Sequence, residues 1–319
     1  MNPAIAEMGT RMGPDVVAAV RALYEPEQAP LAAAQPPAAT DCVYGPHPRN
    51  RLDLYRQDPE DAAGEAGGAR PVLLFVHGGG FLLGDKGGIG GNIGGNTSGN
   101  TSGGAGSWAN AHVGRNTSGG AGSWANAHVG RWAAANGMVG AVMNYRLAPA
   151  DQWPAGAEDV AAAVDWLRAN VHEHGGDPAR IVLLGTSAGA VHVAGFLALR
   201  DDHRALVRAA ALLSGLYGVT PLDERDTLYY GPQEAYAQRM PMAAVVETSL
   251  PLLVAGAQFD PPRFQAEWAG LLQARLDRHG HLPRAHYASG HNHYSMAMHL
   301  GTSDRRLSDE LLAFLAEHS

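Results

Sequence analysis

The 319-residue chain predicts an α/β fold, a mostly parallel central sheet with helices on both faces and a small cap. Three observations predict it. Seven short strand-like runs recur along the chain, and amphipathic helical patterns separate most of them. Hydrophobic residues make up 45% and charged residues 17%, which supports a large core and excludes a disordered chain.

The elements follow in order. An N-terminal helix shows an apolar face in Val16, Val20, Leu23 and Tyr24. Residues 26–40, rich in proline and alanine, read as a linker, so 1–40 are expected to form a cap segment plus linker and 41–319 the main domain. The strand-like runs are 51–55, 72–77, 139–144, 181–184, 209–213, 252–256 and 284–288. Between them, one helix aligns Val160, Val164, Leu167 and Val171, another Trp268, Leu271, Leu272 and Leu276, and a C-terminal one Leu307, Leu311, Phe314 and Leu315. A further stretch, 217–245, is polar enough to belong to the cap.

Glycine is concentrated in one place: of 41 glycines, 16 fall between Gly84 and Gly130. There the unit NTSGGAGSWANAHVGR at 100–115 recurs unchanged at 116–131. Two copies of so short a unit cannot stack into a solenoid, which needs three or more. Only the second copy continues into Trp132, giving Ala125, Val129 and Trp132 a helical spacing that Gly137 ends, so this copy is read as the structural helix. Residues 84–123 then become a Gly-rich inserted loop, expected near the rim of the site described below as a mobile flap.

Composition also excludes partners. Lys plus Arg number 23 against 31 Asp plus Glu, a net charge of −8 with no basic run, which argues against nucleic acid. A single cysteine, Cys42, excludes an intrachain disulfide and a Cys-rich metal site. The apolar run 72–76 is far short of the roughly 20 residues that span a bilayer. Residues 1–15 lack a basic region followed by an apolar one, so a soluble, cytoplasmic protein with no membrane partner is expected, and a homodimer through an exposed late strand is compatible with such a sheet.

The chemistry is carried by separated motifs. The run 181–184 leads into Gly185-Thr186-Ser187-Ala188-Gly189 and then a helical stretch, the strand-turn-helix setting that G-x-S-x-G requires. So sharp a turn leaves room only for small residues at 185 and 189 and lifts the Ser187 hydroxyl clear of the sheet edge, making Ser187 the candidate nucleophile. A Gly-rich phosphate cradle is the competing reading, but neither dinucleotide nor P-loop spacing is present there. Upstream, the first of the long apolar runs ends in His77-Gly78-Gly79-Gly80-Phe81, a run that aims backbone N–H groups at a developing negative charge.

With HGGGF, Asn144-Tyr145-Arg146-Leu147-Ala148-Pro149, Trp153-Pro154-Ala155, Asp159, GTSAG, a late Asp-Pro and a late His in this order, the chain resembles the hormone-sensitive-lipase-like carboxylesterases of the α/β-hydrolase fold from about residue 51 onward. It departs from them at Thr186 and Ala190, where that group has G-D-S-A-G-G, and in the inserted loop. The resemblance implies a triad of Ser187, Asp260 and His293, with oxyanion donors from Gly78, Gly79 and Ala188 and no cofactor or metal. Asp260 stands in the Asp-Pro turn after the run 252–256, and Asp223 and Asp226 are weaker candidates. Glycine-to-base spacing selects His293, with His291 in reserve. A His-x-His pair can also ligate metal, but no third ligand sits at helical or hairpin spacing beside it. His77 is expected to support its loop, His286 and His299 to be ordinary polar residues, and Arg146 to pair with Asp159. The implied activity is a serine carboxylesterase on short-chain acyl or aryl esters. An arylformamidase or related amidase, and a noncatalytic small-molecule-binding protein on the same scaffold, are the alternatives.

Overall fold

The computed structural model describes residues 2–57, 68–87, 124–218 and 224–319. Its strands are β1 (Ala39–Val43), β2 (Arg51–Tyr55), β3 (Arg70–Val76), β4 (Val139–Met143), β5 (Gly176–Thr186), β6 (Ala209–Leu213), β7 (Leu252–Phe259) and β8 (Arg284–Asn292). The helices are α1 (Pro3–Met8), α2 (Pro14–Ala34), α3 (Ala127–Ala135), α4 (Ala155–Asn170), α5 (Ala188–Leu199), α6 (His203–Leu206), α7 (Glu224–Tyr230), α8 (Tyr236–Arg239), α9 (Met242–Glu247), α10 (Pro262–His279), α11 (Ser295–Met298) and α12 (Arg306–His318). Among the described residues the strands form one sheet in the order β1-β2-β4-β3-β5-β6-β7-β8. Pairing is parallel from β4 to β8 and antiparallel at β1–β2 and β2–β4.

Successive strand residues face opposite sides, so β3 feeds two cores at once. Val72, Leu74 and Val76 pack with Val160, Val164, Val193 and Phe196 of α4 and α5. Leu73 and Phe75 pack on the other side with Val129 and Trp132 of α3 and Leu307, Leu311 and Phe314 of α12. Burial on both faces explains why the central strands are continuous apolar runs without alternation. No helix among the described residues is long and apolar enough to cross a membrane.

Three expectations change. Residues 26–34 are not linker: α2 continues through Pro26 and Pro30 to Ala34. It is anchored there because Gln28, buried, donates from Nε2 to the carbonyl oxygen of Leu300 at 2.8 Å. Ala39 and Thr40, at the end of the supposed linker, open β1, an edge strand pairing with β2, so the expected boundary at residue 41 falls inside a strand. On α10 the buried positions are Glu267, Leu271 and Arg275, whereas Leu276 is exposed. The second repeat copy does supply α3, while most of the inserted loop, and the flap reading with it, lies outside the described residues.

Candidate active site

Ser187 sits between β5 and α5 at φ 54°, ψ −123°, a conformation that a non-glycine residue holds only under strain. The crowding that forces this turn is measurable: a Cβ on Gly189 would lie 2.0 Å from the carbonyl oxygen of Val76. The Ser187 N–H donates to the Leu213 carbonyl at 2.8 Å, tying the turn to β6.

The structure brings Ser187, His293 and Asp260 together from three strand ends. His293 Nε2 is 2.9 Å from Ser187 Oγ, and Nδ1 is 2.7 Å from Asp260 Oδ1. Asp260 is 1% exposed, so its charge must be met internally. Its Oδ2 accepts the Ala257 N–H at 2.8 Å and the Ser214 hydroxyl at 2.6 Å. The Phe264 ring, 4.4 Å from the His293 ring, limits its rotation.

His291 is turned away from this group. Its Nδ1 faces Ser295 Oγ at 3.1 Å, its Nε2 lies near Asp304 at 3.2 Å and Arg306 at 3.1 Å, and its ring stacks on His299 at 3.9 Å. Contrary to the expectation of no third ligand, folding brings His299 and Asp304 beside His291, with donor atoms within 4.8 Å of one another. The donor set does not fit a shared ion. Rings stacked 22° from parallel aim their in-plane lone pairs side by side instead of toward one point, and Arg306 already bonds Asp304 at 2.5 Å. Burial pushes the His299 imidazole down to about 3, so it remains neutral. Asp226, the weaker acid candidate, pairs with Arg263, and Asp223 lies outside the described residues.

The glycine run lies directly over the nucleophile. A Cβ on Gly78 would sit 3.2 Å from the Ser187 Cβ, and one on Gly79, at φ +141°, would meet the Leu83 carbonyl oxygen at 1.9 Å. Ala188 opens α5, where first-turn N–H groups have no intrahelical acceptor. His77 is buried, stacks on Tyr145 at 4.4 Å, and contacts the Gly78 carbonyl through Nδ1 at 2.7 Å. Burial pushes it down to about 4, in keeping with a neutral support for the loop. Arg146 and Asp159 do pair, Nε to Oδ1 at 2.9 Å, which fixes the chain after β4 to α4. His286 contributes to none of these contacts, and burial lowers its pKa.

Four residues beside the site had no sequence signal. Ser214 follows an ordinary strand, and nothing local marks it as a partner of Asp260, 46 positions away. Glu267, 2% exposed on α10, accepts N–H groups of Tyr217 and Gly218 (2.7 Å for the latter), fastening the segment after β6. Ser295 and Asn292 close the turn around His293: the Asn292 N–H donates to Ser295 Oγ and the Ser295 N–H to Asn292 Oδ1, both at 2.9 Å.

Residues 109–294, more than half of the chain, match the family described as alpha/beta hydrolase fold. The chain belongs to the α/β-hydrolase family. This α/β-hydrolase is 29% identical over 181 residues to esterase LipQ of Mycobacterium tuberculosis, an alignment covering 48% of this chain and 43% of that protein. It is 33% identical over 152 residues to a probable isoprenylcysteine alpha-carbonyl methylesterase of Oryza sativa subsp. japonica, covering 48% of this chain and 25% of the other. The chain thus spans less than half the length of these relatives. A hyperthermophilic esterase from the archaeon Pyrobaculum calidifontis has the same fold, with a TM-score of 0.63 at 20% identity, covering 99% of this chain and 95% of that one.

Proposed function

We propose that this α/β-hydrolase is a serine carboxylesterase that cleaves short-chain acyl or aryl esters through an acyl-enzyme. The observation that carries the reading is the unbroken hydrogen-bonded series Ser187 Oγ, His293, Asp260 at 2.9 and 2.7 Å, starting on a strained turn. His293 Nε2 takes the hydroxyl proton as Oγ attacks the ester carbonyl carbon, and the carbonyl electron pair moves onto oxygen. Gly78, Gly79 and Ala188 would offer N–H groups to that oxyanion. Collapse expels the alcohol, which takes the proton from His293. Water, deprotonated by the same imidazole, then attacks the acyl carbon, releasing the acid and restoring Ser187. Asp260 keeps the Nδ1 proton in place and stabilises the transient imidazolium. Relatives named esterase and methylesterase support the reaction class.

The cap in this reading combines residues 2–38 with 217–218 and 224–245. Supporting it, the Gly13 N–H donates to the Tyr294 hydroxyl at 3.1 Å, beside His293. Phe81 of the glycine run stacks on Tyr229 of α7 at 4.2 Å. The partner in this reading is a small ester.

The test is a p-nitrophenyl ester series from acetate to octanoate, with Ser187→Ala, His293→Ala and His291→Ala beside the wild type. Losses of roughly 10⁴-fold or more in kcat are expected for the first two, with His291→Ala retaining turnover. Wild-type turnover of formanilides without turnover of any ester would replace the esterase reading by an amidase. Ester turnover by Ser187→Ala at the wild-type rate would end it.

A further inference from the structure

We propose that Ser214 is a positioning residue for the Asp260–His293 pair, and that its left-handed backbone is strain retained because the hydroxyl is needed. The proposal rests on the triad reading above and assigns a role to a residue outside it.

Ser214 directly follows β6 at φ 47°, 3% exposed, with its N–H donating to the Ala255 carbonyl at 2.9 Å. A non-glycine residue held there is disfavoured, and no steric need for a side chain explains the choice, since glycine adopts this conformation freely. What glycine lacks is the hydroxyl, which donates to Asp260 Oδ2 at 2.6 Å. The direction of that donor is fixed from both sides. Downstream, Glu267 of α10 binds the Tyr217 and Gly218 N–H groups. On the same helix, Gln265 Nε2 donates to the Asp260 carbonyl at 2.6 Å. One helix therefore holds both the acid and the segment that carries its donor.

A donor on the far oxygen does two things. It fixes the plane of the carboxylate so that Oδ1 faces His293 Nδ1, and it withdraws charge from the carboxylate, which weakens its hold on the imidazolium. Without the hydroxyl, Asp260 keeps one orienting donor on Oδ2, the Ala257 N–H, and attracts the protonated imidazole more strongly. His293 then titrates at higher pH and is aligned less well for proton transfer.

Ser214→Gly and Ser214→Ala separate strain from function. Both lose the donor, but only glycine relieves the backbone. For Ser214→Gly we expect an unchanged or higher Tm, a roughly 10- to 100-fold fall in kcat on p-nitrophenyl butyrate with little change in KM, and an acid limb of kcat/KM moved to higher pH. Ser214→Ala should show the same kinetics with a lower Tm. NMR titration of the His293 imidazole gives the same reading without turnover. Other titratable and charged groups on the surrounding elements include Tyr294, Arg263, Asp226, Glu267, His291, His299, Asp304 and Arg306. Both variants leave them in place. A filler role would not move the acid limb or the NMR titration. If Ser214→Gly matches the wild type in kcat, acid limb and His293 titration while Ser187→Ala is inactive, this proposal falls and the triad reading stands. If Ser187→Ala retains full turnover, the triad reading fails and takes this proposal with it.

Discussion

Gly79 shows how one residue's backbone decides chemistry. At φ +141° with the Leu83 carbonyl oxygen 1.9 Å from the place of a Cβ, no side chain fits without moving the loop that faces Ser187. Gly79→Ala is therefore expected to displace at least one donor to the oxyanion, lowering kcat on p-nitrophenyl esters by about 10²- to 10³-fold. Circular dichroism should show the rest of the fold retained. The candidate nucleophile was legible at this scale because the elbow is a local constraint, and all of its signature lies within five residues. The choice between His293 and His291 was different. Both stand in one Gly-His-Asn-His run, and their separation is geometric: one ring reaches Ser187 at 2.9 Å and the other stacks on His299. Ser214 was not legible at all, because its partner, Asp260, follows another strand 46 positions away.

At the scale of elements, the Arg146–Asp159 pair joins the segment after β4 to α4, with the Asp159 side chain 4% exposed. Arg146→Ala leaves that carboxylate buried with the Arg146 N–H as its remaining link to the segment, so a loss of about 3 kcal/mol in urea unfolding is expected. The repeat makes a second case. The Asn126 side chain donates to the Asp85 carbonyl at 2.8 Å, so the chain on the two sides of 88–123 meets at one point. The contacts of α3 are made by 124–135, all of which survive deletion of 100–115. That deletion is expected to leave the fold intact and to change stability by only about 0.5 kcal/mol through loop closure, checked by thermal unfolding. Elements were legible where burial is one-sided or complete. The α10 face was misjudged because two of its buried positions, Glu267 and Arg275, are charged and bind backbone groups of neighbouring segments. The helix through Pro26 and Pro30 was missed because its anchor, Gln28 on the Leu300 carbonyl, is tertiary.

For the whole molecule, four of the buried histidines make folding sensitive to acid. Burial pushes His77 and His128 down to about 4 and His192 and His299 to about 3, below the ordinary 6.5 of an unfolded chain. Between those values the unfolded state binds more protons, so stability is present above about pH 6.5 and is lost as pH falls toward 4. Each group contributes up to about 1.4 kcal/mol per pH unit in that window, so together they remove a large part of a typical total stability as pH falls. Urea midpoints should fall steadily from pH 7 to 5. His128→Gln, which can still donate to the Ala297 carbonyl, should show a shallower slope. By itself the sequence determined the layered α/β order, the central strands, the nucleophile turn and the glycine run, because each is written in near neighbours through period, size or backbone freedom. Only the tertiary structure decided which histidine meets Ser187, which donors hold Asp260, and why a proline-bearing segment is helical. Those depend on groups far apart in the chain that become neighbours once the sheet has formed.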